Sequence, residues 1–151
     1  MKVLVTGSNG FLGKAVVKFL TGRPDMQVLA TARQTGDSTV RLDVTEDAAM
    51  QARILYDVGS VVHCAVGGAD VVIAGPRTLL EACSIAGVRR VVLISSVSVY
   101  GGADGSVSEA APRIQGTWSN YACVNALPEE VADGFAAHDI VTLRHALHSC
   151  P

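Results

Sequence analysis

The sequence has few cysteines, aromatic residues and charges for its length, and these shortages exclude several classes of protein. Its four cysteines lie far apart without a Cys-x-x-Cys pair, which indicates buried, reduced thiols rather than a disulfide framework. His145, His148 and Cys150 lie close together, but their spacing matches no standard metal site, so we predict no bound metal. Only 17% of the residues are charged, the net charge is −2 and like charges form no run, which argues against nucleic acid or an anionic membrane as a partner.

Long apolar runs are also missing, and none approaches the length of a membrane span. The first predicted strand begins directly after Met1, with no room for a signal peptide, so we expect a cytoplasmic protein. An apolar content of 49% in 151 residues suffices for one substantial core, and the chain is too short for two ordinary domains. We therefore expect residues 1–151 to form one domain.

Short apolar runs alternate with amphipathic stretches along the chain, as in repeated strand–helix–strand units. The expected strands are Lys2–Thr6, Gln27–Ala32, Val40–Leu42, Ser60–Ala65, Arg90–Ser95 and Ile140–Arg144. The expected helices are Gly10–Leu20, Thr45–Ile54, Asp70–Ala86 and Ser119–Ala137. Runs such as 91–94 are apolar on both faces, which is typical of a parallel strand covered by helices on either side. The pattern predicts an α/β fold with a doubly wound parallel sheet of about six strands.

A glycine-rich turn follows the first strand, where the sequence reads Thr6-Gly7-Ser8-Asn9-Gly10-Phe11-Leu12-Gly13. The chain must turn sharply at Gly7, admit a pyrophosphate to the backbone at Gly10 and pack the next helix on the strand at Gly13. That helix would direct its free N–H groups toward the phosphates. A strand before the turn and a helix after it favour a dinucleotide site over a merely structural turn.

The end of the second strand indicates which dinucleotide is preferred. A NAD-binding domain commonly has an acidic residue there for the ribose hydroxyls, whereas this chain has Ala32 followed by Arg33. A guanidinium can bind a 2′-phosphate and stack on adenine, so we predict NADP(H) rather than NAD(H), with a solvated Arg33 as the alternative. Asp43 is placed to accept a hydrogen bond from the adenine amino group, and the alternative is a helix cap at Thr45.

Hydroxyl groups suited to proton transfer follow the fifth strand. Ser95 and Ser96 lie at its carboxyl end, where open α/β sheets bind ligands, and Tyr121 lies at the start of the last helix. A serine hydroxyl can hold a substrate oxygen while a tyrosine phenol exchanges the proton that accompanies hydride transfer. Tyr100 and Trp118 either stack on a substrate ring or pack within the protein.

Taken together, these features make the chain resemble the extended short-chain dehydrogenase/reductase family of nucleotide-sugar epimerases, dehydratases and reductases. Besides the glycine turn and 95–101, the matching segments are Leu42–Thr45, Val61–Ala65, Leu79–Cys83, Gly87–Val92 and Val141–Arg144. The resemblance implies a Rossmann fold in which the three glycines contact the pyrophosphate and Asp43 the adenine. The cofactor-binding residues predicted here are Gly7, Asn9, Gly10, Phe11, Leu12, Gly13, Arg33, Asp43, Val44, Cys64, Ala65 and Ser95.

The resemblance also implies catalytic roles, with Ser96 on the substrate oxygen and Tyr121 as acid or base. Where the family has Tyr-x-x-x-Lys, however, this chain has Asn125, whose neutral amide cannot stabilise a phenolate by charge. A missing cation that would lower the phenol pKa by about one to three units reduces the phenolate by about 10- to 1000-fold at neutral pH. We therefore expect impaired turnover, with Asn125 still able to bind a ribose hydroxyl.

Two further departures concern the walls of the pocket. The segment between Ala65 and Leu79 is shorter than usual and has Pro76 where the family has threonine. His145 stands where the family commonly has proline, and the family's C-terminal substrate-binding region would lie beyond Pro151.

We therefore expect an impaired or truncated NAD(P)-dependent oxidoreductase, epimerase or dehydratase that transfers hydride to or from a small hydroxyl or carbonyl substrate. The alternative is a non-catalytic nucleotide-binding or partner-binding protein derived from the family. A homodimer, or a partner subunit that completes the pocket, would cover exposed apolar surface. Leu79–Ala86 and Cys123–Leu127 are the expected contact unless these residues belong to the core.

Overall fold

The computed structural model describes residues 1–36, 39–101, 105–114, 121–135 and 138–145, with the backbone alone for 121–125. The strands are β1 (Lys2–Thr6), β2 (Gln27–Ala32), β3 (Val40–Arg41), β4 (Ser60–His63), β5 (Arg90–Ser96) and β6 (Asp139–His145). The helices are α1 (Phe11–Thr21), α2 (Ala48–Ile54), α3 (Ala69–Ala86) and α4 (Tyr121–Asp133), and a 3-10 turn spans Val97–Tyr100. No helix in these ranges is long and apolar enough to cross a membrane.

All six strands lie in one parallel sheet, in the order β3-β2-β1-β4-β5-β6. The chain winds outward from β1 to β3 and then crosses to β4 on the other side, so the direction of winding reverses between β1 and β4. Loops that leave β1 and β4 therefore diverge and open a crevice at the carboxyl ends of the strands. The predicted doubly wound sheet of about six strands is confirmed.

The apolar core lies where the central strands meet α2, α3 and α4. Leu4, Val61 and Val91 of the central strands are fully buried, as their continuous apolar runs predicted. Leu79 and Leu80 of α3 are equally buried in this cluster. Half of the α3 segment considered as a subunit contact is thus core, and these two side chains are not available to a partner, whereas Ile85 is exposed.

Two cysteines can be placed in the described structure. Cys64 and Cys83 are buried and free, and burial raises the pKa of their thiols to about 11 and about 12. Such thiols stay protonated and behave as small hydrophobic side chains. The interpretation as buried, reduced thiols is confirmed for these two, while Cys150 and the side chain of Cys123 lie outside the described residues.

The boundaries of α2 and β4 differ from the prediction because a hydrogen bond to a side chain shortens each element. Helix α2 begins at Ala48 rather than Thr45, since the Asp47 carboxylate accepts a hydrogen bond from the Ala49 N–H at 2.9 Å and so caps the helix. Strand β4 stops at His63, and the Cys64 amide turns away to donate to Thr6 Oγ1 at 3.2 Å.

At the end of β5 and in α4, the structure extends what the sequence predicted. Strand β5 runs one residue further, to Ser96, and the 3-10 turn after it was not predicted. Ser96 caps that turn by accepting from the Ser98 N–H. Helix α4 spans Tyr121–Asp133 within the predicted 119–137, of which 119–120 and 136–137 lie outside the described residues.

Candidate functional site

A cleft of about 210 Å³ opens at the carboxyl ends of β1, β2 and β4, where the winding of the sheet reverses. It is lined by Gly7, Asn9, Gly10, Ala32, Arg33, Gln34, Leu42, Asp43, Val44, Ala65, Val66 and Val71. The predicted cofactor-binding residues among these are Gly7, Asn9, Gly10, Arg33, Asp43, Val44 and Ala65. Seven of the twelve lining residues are thus predicted ones, Ala32 was singled out for its lack of a carboxylate, and Gln34, Leu42, Val66 and Val71 were missed.

The glycine turn forms the floor of the cleft, and its shape depends on missing side chains. Gly7 has φ +63°, and a Cβ there would lie 2.6 Å from the Ala65 Cα. A Cβ at Gly13 would overlap the Gly7 carbonyl, so α1 could not approach the turn. At Gly10 the Gly7 carbonyl oxygen, at 3.2 Å, is the one described atom within 4 Å of a Cβ. The backbone at Gly10 is thus open to a ligand.

The first turn of α1 lies beside this floor. Its N-terminus has no side-chain cap, so the amides of Phe11, Leu12 and Gly13 lack the partners that a capping residue would supply. Phe11 is almost fully exposed, Leu12 is half-buried and Gly13 is buried. These three predicted residues do not line the cleft itself but offer backbone donors at its edge.

Hydrogen bonds below the turn fix β1 against β4. Thr6 Oγ1 accepts from the amides of Cys64 and Ala65 at 3.2 and 3.3 Å, so its own proton is donated to His63 Nδ1 at 2.8 Å. Burial lowers the pKa of His63 to about 4, which keeps the imidazole neutral and able to accept. Cys64, a predicted cofactor-binding residue, is buried and does not line the cleft.

The far end of the cleft carries one cation and one carboxylate. Arg33 follows β2 and is exposed, and Ala32 before it is buried with no acidic group to bind ribose hydroxyls. Asp43 Oδ1 accepts from Thr45 at 3.0 Å from the amide and 2.8 Å from the hydroxyl, and chiefly the amide bond lowers the pKa of Asp43. Asp43 therefore caps a turn and not a helix, so the helix-cap alternative is wrong.

Ser96 lies outside this cleft, at the end of β5. It is buried, and its Oγ accepts from the Ser98 amide at 3.2 Å and from the Ser98 hydroxyl at 2.9 Å, which leaves the Ser96 proton to donate elsewhere. Ser95 is also buried and hydrogen-bonds Glu129. Tyr121 and Asn125 lie one turn apart in α4, and their side chains, like Trp118, lie outside the described structure.

A buried charge cluster next to Ser95 was missed by sequence reasoning. The Glu129 carboxylate is 1% exposed and accepts from Arg144 at 2.6 and 3.0 Å and from Arg113 at 3.3 Å. Burial opposes its ionisation, but the hydrogen bonds from Arg144, Ser95 and Arg113 outweigh burial and lower the pKa of Glu129. No signal in the sequence marks this cluster, because only the pairing of β5 with β6 sets Arg144 beside Ser95.

This cluster also explains Tyr100. Its hydroxyl accepts from Arg144 at 2.6 Å and donates to the Glu109 carbonyl at 3.2 Å, and the Arg144 guanidinium lies 5.1 Å from the ring centre. The ring is therefore engaged by Arg144, in agreement with the packing alternative for Tyr100.

The strand order, the glycine turn and the cleft at the reversal point define a Rossmann domain of the type that binds dinucleotides. Residues 3–148 match the sequence model of the NAD dependent epimerase/dehydratase family, and the chain belongs to that family. The resemblance to extended short-chain dehydrogenases/reductases is confirmed.

Individual relatives agree with this assignment. D-erythronate dehydrogenase of Cupriavidus necator is 34% identical over 131 residues, which cover 68% of this chain and 40% of that protein. UDP-glucuronic acid 4-epimerase from Bacillus cereus, solved in complex with NAD, is 26% identical with a TM-score of 0.79 over 97% of this chain and 56% of that one. A short-chain dehydrogenase/reductase superfamily protein from Agrobacterium tumefaciens with bound NAD is 29% identical, with a TM-score of 0.82 over 95% of this chain and 48% of that one. The chain thus spans about half the length of its relatives.

Proposed function

We propose that this chain binds NADP(H) in preference to NAD(H). We further propose that it is the cofactor-binding part of an oxidoreductase, epimerase or dehydratase that acts on a small hydroxyl or carbonyl compound. The observation that supports the proposal most directly is the cleft, which combines an open glycine backbone with Arg33 at its far end. The solved relatives named above contain NAD, and this favours a nicotinamide dinucleotide as the ligand.

The residues of the cleft fit such a ligand. The exposed backbone at Gly10 and the uncapped amides of α1 suit a pyrophosphate, which needs N–H donors and no intervening side chain. Asp43, which lines the cleft, suits the amino group of adenine. When bound, the nicotinamide would supply the hydride donor or acceptor.

The preference for the 2′-phosphate depends on a charge difference at the end of β2. Ala32 offers no carboxylate to bind ribose hydroxyls or to repel a phosphate, and Arg33 offers a planar guanidinium next to it. Charge-assisted hydrogen bonds to phosphate are worth about 1.5–3 kcal/mol, or about 10- to 150-fold in affinity.

Competitive titration of the protein with NADPH and NADH, measured by calorimetry, tests this proposal. We expect NADPH to bind at least about tenfold more tightly and Arg33→Ala to remove most of that preference. Arg53→Ala, which removes an exposed arginine of α2, is the matched control and should leave the preference unchanged. Equal affinities in the unmodified protein would contradict the NADP(H) preference, and absence of binding by both would contradict the proposal as a whole.

For the reaction we propose Ser96 as the hydrogen-bond donor to a substrate oxygen and Tyr121 as the acid or base. Ser96 Oγ already accepts two hydrogen bonds from Ser98, so its own proton remains for donation to a substrate, which supports this role. Asn125, where the family has lysine, favours the second candidate, a non-catalytic nucleotide-binding or partner-binding protein. Asn125→Lys separates the two, because restored charge should raise an existing turnover rate and cannot create a missing one.

A further inference from the structure

A polar side chain that does not touch the cleft holds the loop that carries Asp43 and Val44. Gln51 of α2 is 1% exposed, and its Nε2 donates to the carbonyl of Val44 at 3.0 Å and to that of Glu46 at 2.8 Å. We infer that Gln51 is a positioning residue for adenine recognition, acting through Asp43. This inference rests on the proposed dinucleotide binding.

The chemistry of these two contacts specifies an amide at position 51. Both neighbours are carbonyl oxygens, which only accept, so the NH₂ group must face them, with one hydrogen for each. A glutamate would oppose oxygen to oxygen, and a methionine of similar size would donate nothing. Among the described residues Gln51 Oε1 has no partner, although it is buried. A core residue with half of its hydrogen-bonding capacity unused is poorly suited to stability alone, which argues that the two donated bonds are its role.

Two other contacts also restrain this loop. Gly75 of α3 lies against it so closely that a Cβ there would approach Val44 Cγ2 to 2.8 Å. Within the loop, Asp43 Oδ1 is held by the amide and hydroxyl of Thr45. Because Gln51 and Gly75 hold the loop from outside and Thr45 holds the carboxylate within it, Asp43 has little freedom to shift at the cleft.

The position of that carboxylate can be measured with a change in the base. Adenine presents an amino donor, whereas hypoxanthine has an oxo acceptor at the same position, which a carboxylate repels. A site built to accept a hydrogen bond discriminates strongly against a ligand that lacks the donor. The affinity ratio of NADPH to its hypoxanthine analogue therefore reports whether Asp43 is correctly placed, independently of the overall stability of the protein.

We would measure this ratio by calorimetry for the unmodified protein, Gln51→Met and a control, Arg53→Met, on the exposed side of the same helix. The unmodified protein and the control should favour adenine by about tenfold or more, and Gln51→Met should reduce the ratio to about threefold or less. Affinity for the hypoxanthine analogue should stay the same or rise, because a displaced Asp43 no longer repels its oxo group, so the loss should fall on NADPH.

Each outcome bears on a different statement. If the folded Gln51→Met protein keeps the unmodified protein's preference for adenine, this inference is overturned and the proposed function is unaffected. If the unmodified protein binds neither dinucleotide, both are overturned. If Gln51→Met does not fold, Gly75→Ala, whose Cβ would approach Val44 Cγ2 to 2.8 Å, should displace Val44 and also lower the ratio. Gly22→Ala, whose Cβ would meet no described atom nearer than 3.5 Å, is its control, and equal ratios for the two would overturn the inference.

Discussion

Two regions at the carboxyl edge of the sheet are held together by different kinds of contact. At β1 and β4 the contacts are neutral and close, with Gly7 against Ala65 and Thr6 hydrogen-bonded to His63. At β5 and β6 they are ionic, with the buried Glu129 carboxylate as the centre. The first side depends on the absence of side-chain atoms, and the second on the presence of charge. We call the first region the cofactor side and the second the reaction side, after their proposed roles. The cofactor side should be most sensitive to changes of shape, and the reaction side to changes of charge.

The largest expected effect tests the shape of the cofactor side. Gly7→Ala places a Cβ 2.6 Å from the Ala65 backbone in a residue with φ +63°. Overlap and the left-handed conformation together should lower the free energy of unfolding by about 4 kcal/mol, measured by urea denaturation. Dinucleotide affinity, measured by calorimetry on the fraction that folds, should fall below detection.

Gly87→Ala separates steric overlap from the left-handed conformation. Gly87 has φ +72°, but a Cβ there would have no described atom within 4 Å. Only the conformational cost remains there, about 1–2 kcal/mol. Equal losses for the two variants would show that close packing at Gly7 is not what makes glycine necessary.

A somewhat smaller effect tests the charge of the reaction side. Glu129→Gln keeps the shape of the side chain but removes the carboxylate that Arg144 pairs with, while Arg113 keeps its second partner, Asp133. We expect a loss of about 3 kcal/mol in urea denaturation. Asp139→Asn removes the exposed ion pair with Arg90 and should cost less than about 1 kcal/mol. A loss from Glu129→Gln no larger than that control would mean that the buried cluster does not stabilise this side.

The cofactor side was largely predictable from the sequence because its signals are local. The glycines, the strand before them and the helix after them lie within 2–21, and β1 and β2 have the predicted bounds. The positive φ and the close approach at Gly7 both require a residue without a side chain, so a glycine in the sequence indicates them directly.

The reaction side could not be predicted to the same depth because its contacts join distant segments. A glutamate in a helix is ordinarily exposed, and only the pairing of β5 with β6 brings Arg144 to Glu129. Gln51 was missed for a related reason, since its two acceptors are carbonyl groups in a loop that bends back over α2. Ser96 was predicted as a strand-end residue, but its two bonds from Ser98 depend on the unpredicted 3-10 turn.

The smallest expected effect is a pH dependence that belongs to the cofactor side alone. The pKa of His63 is about 4 in the folded protein against 6.5 for an ordinary imidazole, so between these pH values the unfolded chain binds the extra proton. The free energy of unfolding should therefore fall as the pH is lowered, by about 2 kcal/mol from pH 7 to 5. Glu129, whose pKa is lowered from 4.5, loses its contribution only in more acidic solution, so this window isolates the imidazole.

Urea denaturation at pH 7, 6 and 5 measures the slope. His63→Asn, whose amide oxygen can still accept from Thr6, should flatten it, whereas the exposed His145→Asn should not. The same slope in all three proteins would mean that the Thr6–His63 bond does not link the stability of the glycine turn to pH.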